Sequence, residues 1–237
     1  MSEMLKPTRH YLFDFDGTLV DSMPYWGRSM LRVLEDHGIA YSPDTVNIIT
    51  PLGIQGTARY FIELGLDRTV EEILEEMNAY LTPMYRDIIV AKKGVKSCLE
   101  TMKARGIGLH VLTASPHRWL DPCLKREGLF ELFDNVWDCD DFGTGKTDPN
   151  IYLEAAKRIG TAVEDITFLD DNVNADRTAK LAGLKVIGVY DDSSRNSERE
   201  IRGISDGYIY DFSELVNLVF GTITDGIGLL DRINKTV

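Results

Sequence analysis

The sequence predicts an α/β protein: a doubly wound parallel sheet, interrupted after its first strand by an all-helical insertion. Three observations predict it. Short apolar runs alternate with helical stretches along most of the chain, the pattern of right-handed crossovers onto one parallel sheet. Runs such as Thr167-Phe168-Leu169 suit strands buried on both faces. Finally, residues 24–90 read as helix throughout and separate the first strand from the next core helix, whereas a crossover needs only about a dozen residues.

Taken in order, the first strand spans His10–Phe15 and runs into the turn Asp16-Gly17-Thr18. Pro24 then starts a helix with Trp26, Met30, Val33 and His37 near helical spacing. Thr50–Thr57 reads as an inter-helix loop. Thr69-Val70-Glu71-Glu72 is a capping box, opening a helix whose apolar side carries Ile73, Met77, Tyr80 and Met84. Hinges fall near residues 19–23 and 88–93, dividing the chain into a core of residues 1–21 and 92–237 and a helical domain of residues 22–91. In the core, a helix over Lys96–Arg105 stops before Gly106, a strand covers Leu109–Thr113, and a helix over Pro116–Glu127 stops before Gly128. A strand over Val136–Cys139 follows, then a helix capped by Asp148, with Pro149 in its first turn and Gly160 past its end. The last units are a strand over Ile166–Leu169, a helix over Ala175–Ala182 ending at Gly183, and a strand over Lys185–Tyr190. Asp191–Glu200 reads as a polar loop, and residues 223–237 form a tail without an assigned place.

Composition narrows the function. The 237 residues are 43% hydrophobic and 27% charged, an ordinary globular mixture. No run of about 18 apolar residues occurs, and the start, MSEMLKPTRH, lacks the apolar stretch of a secretory signal, so a cytoplasmic location is expected. Cys98, Cys123 and Cys139 have no metal-ligand spacing and read as reduced, packed thiols. A net charge of −12 without a basic block repels nucleic acid and anionic membranes. An anionic substrate would therefore need a local electropositive pocket, most simply one built on a metal ion. A monomer or weak homodimer is expected.

Ligands of open parallel sheets bind at the carboxyl ends of the strands. Chemistry-bearing residues collect there: Asp14 and Asp16 after the first strand, Thr113 after the second, Lys146 in a Gly-rich loop, and Asp170 and Asp171 after the fourth. Like charges a few ångströms apart repel, so the acids invite a divalent cation, and all-oxygen ligation favours Mg²⁺. With the metal and Lys146 neutralising a phosphate dianion, Asp14 can attack phosphorus as a nucleophile, while Asp16 protonates the leaving alcohol. Singly, each residue has an ordinary structural role open to it. Asp16-Gly17 is a common turn dipeptide, and Asp170-Asp171 could cap the next helix. Together they serve no packing purpose.

Four stretches, Asp14-Phe15-Asp16-Gly17-Thr18-Leu19, Leu112-Thr113-Ala114-Ser115, Gly145-Lys146-Thr147-Asp148-Pro149 and Phe168-Leu169-Asp170-Asp171, resemble in order the motifs of the haloacid dehalogenase superfamily. The resemblance covers about residues 10–190 and implies a Rossmann-like core, with residues 22–91 as a cap of that superfamily's first class. It implies Asp14 as nucleophile and metal ligand, Asp16 as acid/base giving a backbone carbonyl to Mg²⁺, and Asp171 as metal ligand supported by Asp170. Thr113, Ala114 and Lys146 would bind the phosphoryl group. Many phosphatases of the family carry a further acid four residues after the ligand. Here Ala175 stands at that position and Asp176 follows it. Dehalogenating members lack the second acid of the first motif, so Asp16 argues for phosphoryl transfer. Phosphonate-cleaving members use a cap lysine, and residues 22–91 contain none.

The expected activity is therefore Mg²⁺-dependent hydrolysis of a small organic phosphate monoester through an aspartyl-phosphate on Asp14, with Gln55 and Arg59 of the cap contacting the substrate. A sugar phosphomutase, an inactive phosphate-binding member of the superfamily, and a phospho-accepting receiver module are the alternatives.

Overall fold

The computed structural model describes residues 7–221; the expectation for residues 223–237 falls outside them. The core strands are β1 (His10–Phe13), β2 (Gly108–Thr113), β3 (Asn135–Asp138), β4 (Ile166–Asp170), β5 (Lys185–Val189) and β6 (Gly207–Ile209). They form one sheet in the order β3-β2-β1-β4-β5-β6, with every adjacent pair parallel. β1 is therefore central, and Phe13 is in register with Val111 on one side and Leu169 on the other.

The period of two along the strands divides the interior between the two faces of the sheet. Tyr11, Phe13, Val111, Leu169 and Ile187 belong to one apolar cluster, shared with helices α5 (Val95–Ala104), α6 (His117–Glu127) and α10 (Phe212–Phe220). Leu12, Leu112, Phe168 and Val186 belong to the other, shared with α7 (Asn150–Ile159) and α8 (Val173–Ala182). Burial on both faces explains why the strands are apolar throughout rather than alternating. Several of these helices stop where their sequence says: Gly128, Gly160 and Gly183 all adopt the left-handed conformation of a helix C-terminus.

Between β1 and α5 the chain forms α1 (Met23–Asp36), α2 (Thr45–Ile49), α3 (Gly53–Glu63) and α4 (Val70–Asp87). The capping box is formed as the spacing predicts: the Thr69 amide donates to Glu72 Oε2 at 2.8 Å, and the Glu72 amide to Thr69 Oγ1 at 3.2 Å. The two linkers run side by side. Val20 and Ala91 form an antiparallel bridge, the Asp21 amide donates to the Val90 carbonyl at 3.0 Å, and the Lys92 amide donates to Leu19 at 2.9 Å. The inserted helices share the apolar cluster of α5 and α6, with Tyr85 of α4 stacked on Trp119 of α6 at 5.4 Å.

Two expectations need correction. Thr50–Thr57 is not a loop: Thr50–Leu52 is a 3₁₀ turn, and α3 begins at Gly53. Asp191–Glu200 is largely ordered, with a 3₁₀ segment over Asp192–Ser197 leading into α9 (Glu198–Ile204). Its polarity masked local hydrogen bonding, because the Asp191 carboxylate accepts from both the amide and the hydroxyl of Ser193. Three elements had not been read from the sequence: α9, β6 and α10.

Candidate active site

After β1 the chain folds back on itself. The Asp14 amide still pairs with the Leu169 carbonyl at 2.9 Å, after which Gly17 donates to Val20, and Leu19 and Val20 both donate to Phe15. Gly17 takes φ +69, and a Cβ there would lie 2.7 Å from Asp171 Oδ2. This turn needs a glycine on both counts. It brings the end of β1 against the end of β4.

The predicted acids converge at that point. Asp14, Asp170 and Asp171 are buried, and each offers a carboxylate oxygen within 4.8 Å of the other two. Lys146 reaches in from the loop before α7, its Nζ 2.6 Å from Asp14 Oδ1 and 2.7 Å from Asp170 Oδ2. Burial disfavours charge on Lys146, but Asp14 and Asp170 outweigh it and hold the ammonium protonated well above its ordinary range. For Asp171, burial and then the charges of Asp170 and Asp14 push the carboxyl far above the usual carboxylate range. Asp170 is raised by burial and then by Asp14, although Lys146 and the Asn172 amide, 2.7 Å from its Oδ1, oppose them.

Asp16 points elsewhere. Its Oδ1 accepts from the Tyr85 hydroxyl at 2.6 Å and its Oδ2 from the Ser115 hydroxyl. Burial, followed by the neighbouring Asp14, raises this carboxyl above its ordinary value, and the two hydroxyls pull it partly back. A carboxyl so raised is suited to holding a proton and giving it up. Thr113 is buried at the end of β2, and its Oγ1 accepts from the Ser115 amide at 3.1 Å, leaving its own proton to donate.

These residues open into a cleft of about 460 Å³, lined by Asp14, Asp16, Thr113, Ala114, Lys146 and Asp171 from the core and by parts of α1 and the Thr50–Ile54 segment of the insertion. A larger cavity of about 570 Å³ lies along the Val90–Lys93 linker and holds neither the acid cluster nor Lys146. Gln55 and Arg59 do not line the cleft; both are exposed on α3. Because α3 is already helical at residue 53, Gln55 and Arg59, four apart, share its solvent side, whereas Thr50, Leu52, Gly53 and Ile54 face the acids' cleft. Asp176 stands apart from the converging acids, on the first turns of α8. Both its oxygens are buried without a hydrogen-bond partner among the described residues, and burial, then Asp170 and Asp171, raise its carboxyl well above the ordinary range.

Tyr85 and Ser115 were not singled out from the sequence. Ser115 sits two residues past Thr113 and could have been found by asking which side chains the turn after β2 presents. Tyr85 carried no such signal, since its position on α4 suits a core aromatic equally well.

A family model for haloacid dehalogenase-like hydrolases matches residues 11–189. A phosphorylated carbohydrates phosphatase of Thermotoga maritima is 27% identical over 179 residues, covering 74% of this chain and 82% of that protein. Hexitol phosphatase B of Escherichia coli strain K12 is 25% identical over 193 residues, covering 79% and 86% respectively. In fold, CbbY of Rhodobacter sphaeroides, solved in complex with phosphate, matches with a TM-score of 0.76 at 22% identity, over 88% of this chain and 96% of that one.

Proposed function

The chain belongs to the haloacid dehalogenase-like hydrolases, and we propose that it is a Mg²⁺-dependent phosphatase that transfers the phosphoryl group of a small organic monoester to Asp14 and then to water. The observation that carries this reading is the placement of Asp14: its carboxylate is paired with Lys146 at 2.6 Å and gathered with Asp170 and Asp171 at one end of the sheet.

The donor set fits the metal. Three buried carboxyls within 4.8 Å of one another supply only oxygen, and burial, then the neighbouring acids, raise the carboxyls of Asp170 and Asp171. Asp14, Asp170 and Asp171 would hold Mg²⁺, which when bound supplies positive charge to the transferring phosphoryl oxygens.

The chain's own groups account for the rest. Lys146, paired with Asp14 at 2.6 Å, faces the phosphoryl oxygens as a fixed cation; Thr113 offers a hydroxyl proton to them. As the bond from an Asp14 oxygen to phosphorus forms, the bond from phosphorus to the ester oxygen breaks, and Asp16 gives its proton to the departing alkoxide. Asp16, now ionised, takes a proton from water. The resulting hydroxide attacks phosphorus, breaks its bond to Asp14, and releases inorganic phosphate with Asp14 restored. A phosphomutase would share the first half and pass the group to a second hydroxyl.

The test is phosphate release by purified protein from a panel of phosphorylated metabolites, with Mg²⁺ and with a chelator. Activity is expected only with the metal, and Asp14→Asn is expected to abolish it while leaving the circular-dichroism spectrum unchanged. Near wild-type hydrolysis by Asp14→Asn removes the nucleophile assignment.

A further inference from the structure

The side of the cleft formed by the insertion and α6 is largely apolar, whereas Thr113, Ser115, Thr147, Asn172 and Asn174 line the core side. Met23, Trp26, Leu52 and Ile54 come from the insertion and Trp119 from α6. Leu52 is 44% exposed, so that it leaves apolar surface open in the cleft lining. The polar atoms on this wall are already engaged. The Trp119 indole N–H donates to Thr82 Oγ1 at 3.2 Å, leaving only ring to face inward, and the Thr50 hydroxyl donates to the Val46 carbonyl at 2.7 Å.

Charge points the same way. Among the described lining residues Lys146 is the one cation, and it is committed to Asp14 and Asp170. Three lining residues, Asp14, Asp16 and Asp171, are acids. Two arginines of α6 are engaged away from the cleft: Arg118 donates from Nε to Asn78 at 2.9 Å, and Arg126 donates to the Tyr85 carbonyl at 2.7 Å. Arg28 of α1 and Arg59 of α3 are exposed and do not line it. A second anionic group on a substrate would thus enter a partly desolvated wall with no counter-charge, an unfavourable placement.

Resting on the phosphatase reading above, we infer that the substrate is a monophosphate whose alcohol part is uncharged and presents an apolar face to Trp26, Leu52, Ile54 and Trp119. Carboxylated esters and bisphosphates are rejected by the missing cation. The same absence sets the cleft against phosphomutase chemistry that passes through a bisphosphate, since the second phosphate would have no partner on the insertion.

Benzyl phosphate and 4-carboxybenzyl phosphate test this directly, because their leaving alcohols are nearly equal in acidity and differ in charge. With Mg²⁺, kcat/KM is expected to favour benzyl phosphate by at least about tenfold, and Leu52→Lys is expected to shrink that ratio by supplying the missing cation. Equal or faster hydrolysis of the carboxylated ester overturns the inference. Calorimetric titration of Asp14→Asn with the two esters reads the preference without turnover: tighter binding of benzyl phosphate supports it, and tighter or equal binding of the carboxylated ester defeats it. Failure of the wild-type protein to hydrolyse any ester overturns the phosphatase reading instead, and the titration still decides which alcohol the cleft accepts.

Discussion

The hydroxyl of Tyr85 lies 2.6 Å from Oδ1 of Asp16, joining residues 69 positions apart and linking the inserted helices to the acid at the end of β1. The Tyr85 ring is itself clamped, stacked on Trp119 at 5.4 Å and packed on Phe15 at 6.0 Å. A helix of the insertion therefore aims Asp16, the proton donor of the proposed mechanism, so that placement of this acid depends on how the two parts pack.

Tyr85→Phe keeps the packing and removes the hydrogen bond. The expected result is a fall in kcat of about tenfold or more with KM little changed, since general acid–base help is worth roughly 10²–10⁴-fold and only its aim is disturbed. Steady-state kinetics on a monoester with a poor leaving group checks it. An unchanged kcat would show that Ser115 alone positions Asp16.

Asp171→Asn removes one member of a mutually repelling buried set. A carboxyl whose folded-state pKa is raised stabilises the protein while protonated and loses that contribution as pH rises through the raised value. In metal-free protein at pH 8 the variant is therefore expected to melt higher than wild type, by on the order of 5 °C, and the gap should narrow as pH falls. The thermal upshift that Mg²⁺ gives wild type should be lost in the variant. Scanning calorimetry with and without Mg²⁺ reads both.

Gly17→Ala places a methyl 2.7 Å from Asp171 Oδ2 on a backbone held at φ +69. Strain of this kind costs about 1–3 kcal/mol. Displacement of Asp171 should also raise the Mg²⁺ concentration needed for half-maximal activity. Urea unfolding and an Mg²⁺ titration of activity check the two effects.

His117 donates between Asp121 at 2.9 Å and Asp141 at 3.0 Å. Burial opposes its charge, but these carboxylates outweigh it and raise the imidazolium to about 9. Its contribution is fully present below the unfolded value near 6.5 and disappears as pH rises through about 9. Because the pair is partly exposed, the effect is modest, about 1–3 °C. His117→Gln should lower the melting temperature at pH 6 and leave it unchanged at pH 10.

Gln55→Ala and Arg59→Ala, on the exposed side of α3, are expected to leave kcat/KM within about twofold, the usual scale for surface positions. A larger loss in parallel kinetic assays would show that α3 turns toward the cleft when substrate binds.

The strands that carry the site were legible because each is a short apolar run ended by a turn residue, and a parallel sheet forces the ends of β1, β2 and β4 to one edge. The weak elements were not. β6 is three residues long, too short for a period to show, and α9 buries Ile201 alone. α10 did carry a usable signal: Asp211 caps it by accepting from the Ser213 amide, ahead of Leu215, Val216 and Val219 on one face.

By itself, the sequence determined which residues stand at or just past the strand ends, Asp14, Asp16, Thr113, Asp170 and Asp171, and which loop carries Lys146, because local periodicity and turn chemistry are short-range properties. Tertiary structure decided what those residues meet. Tyr85 reaching Asp16, the exposed face given to Arg59, and the apolar wall of Trp26, Leu52 and Trp119 all depend on how helices distant in sequence rotate and pack. That rotation minimises exposed apolar area over the whole molecule, a sum over many weak contacts that no local stretch of chain encodes.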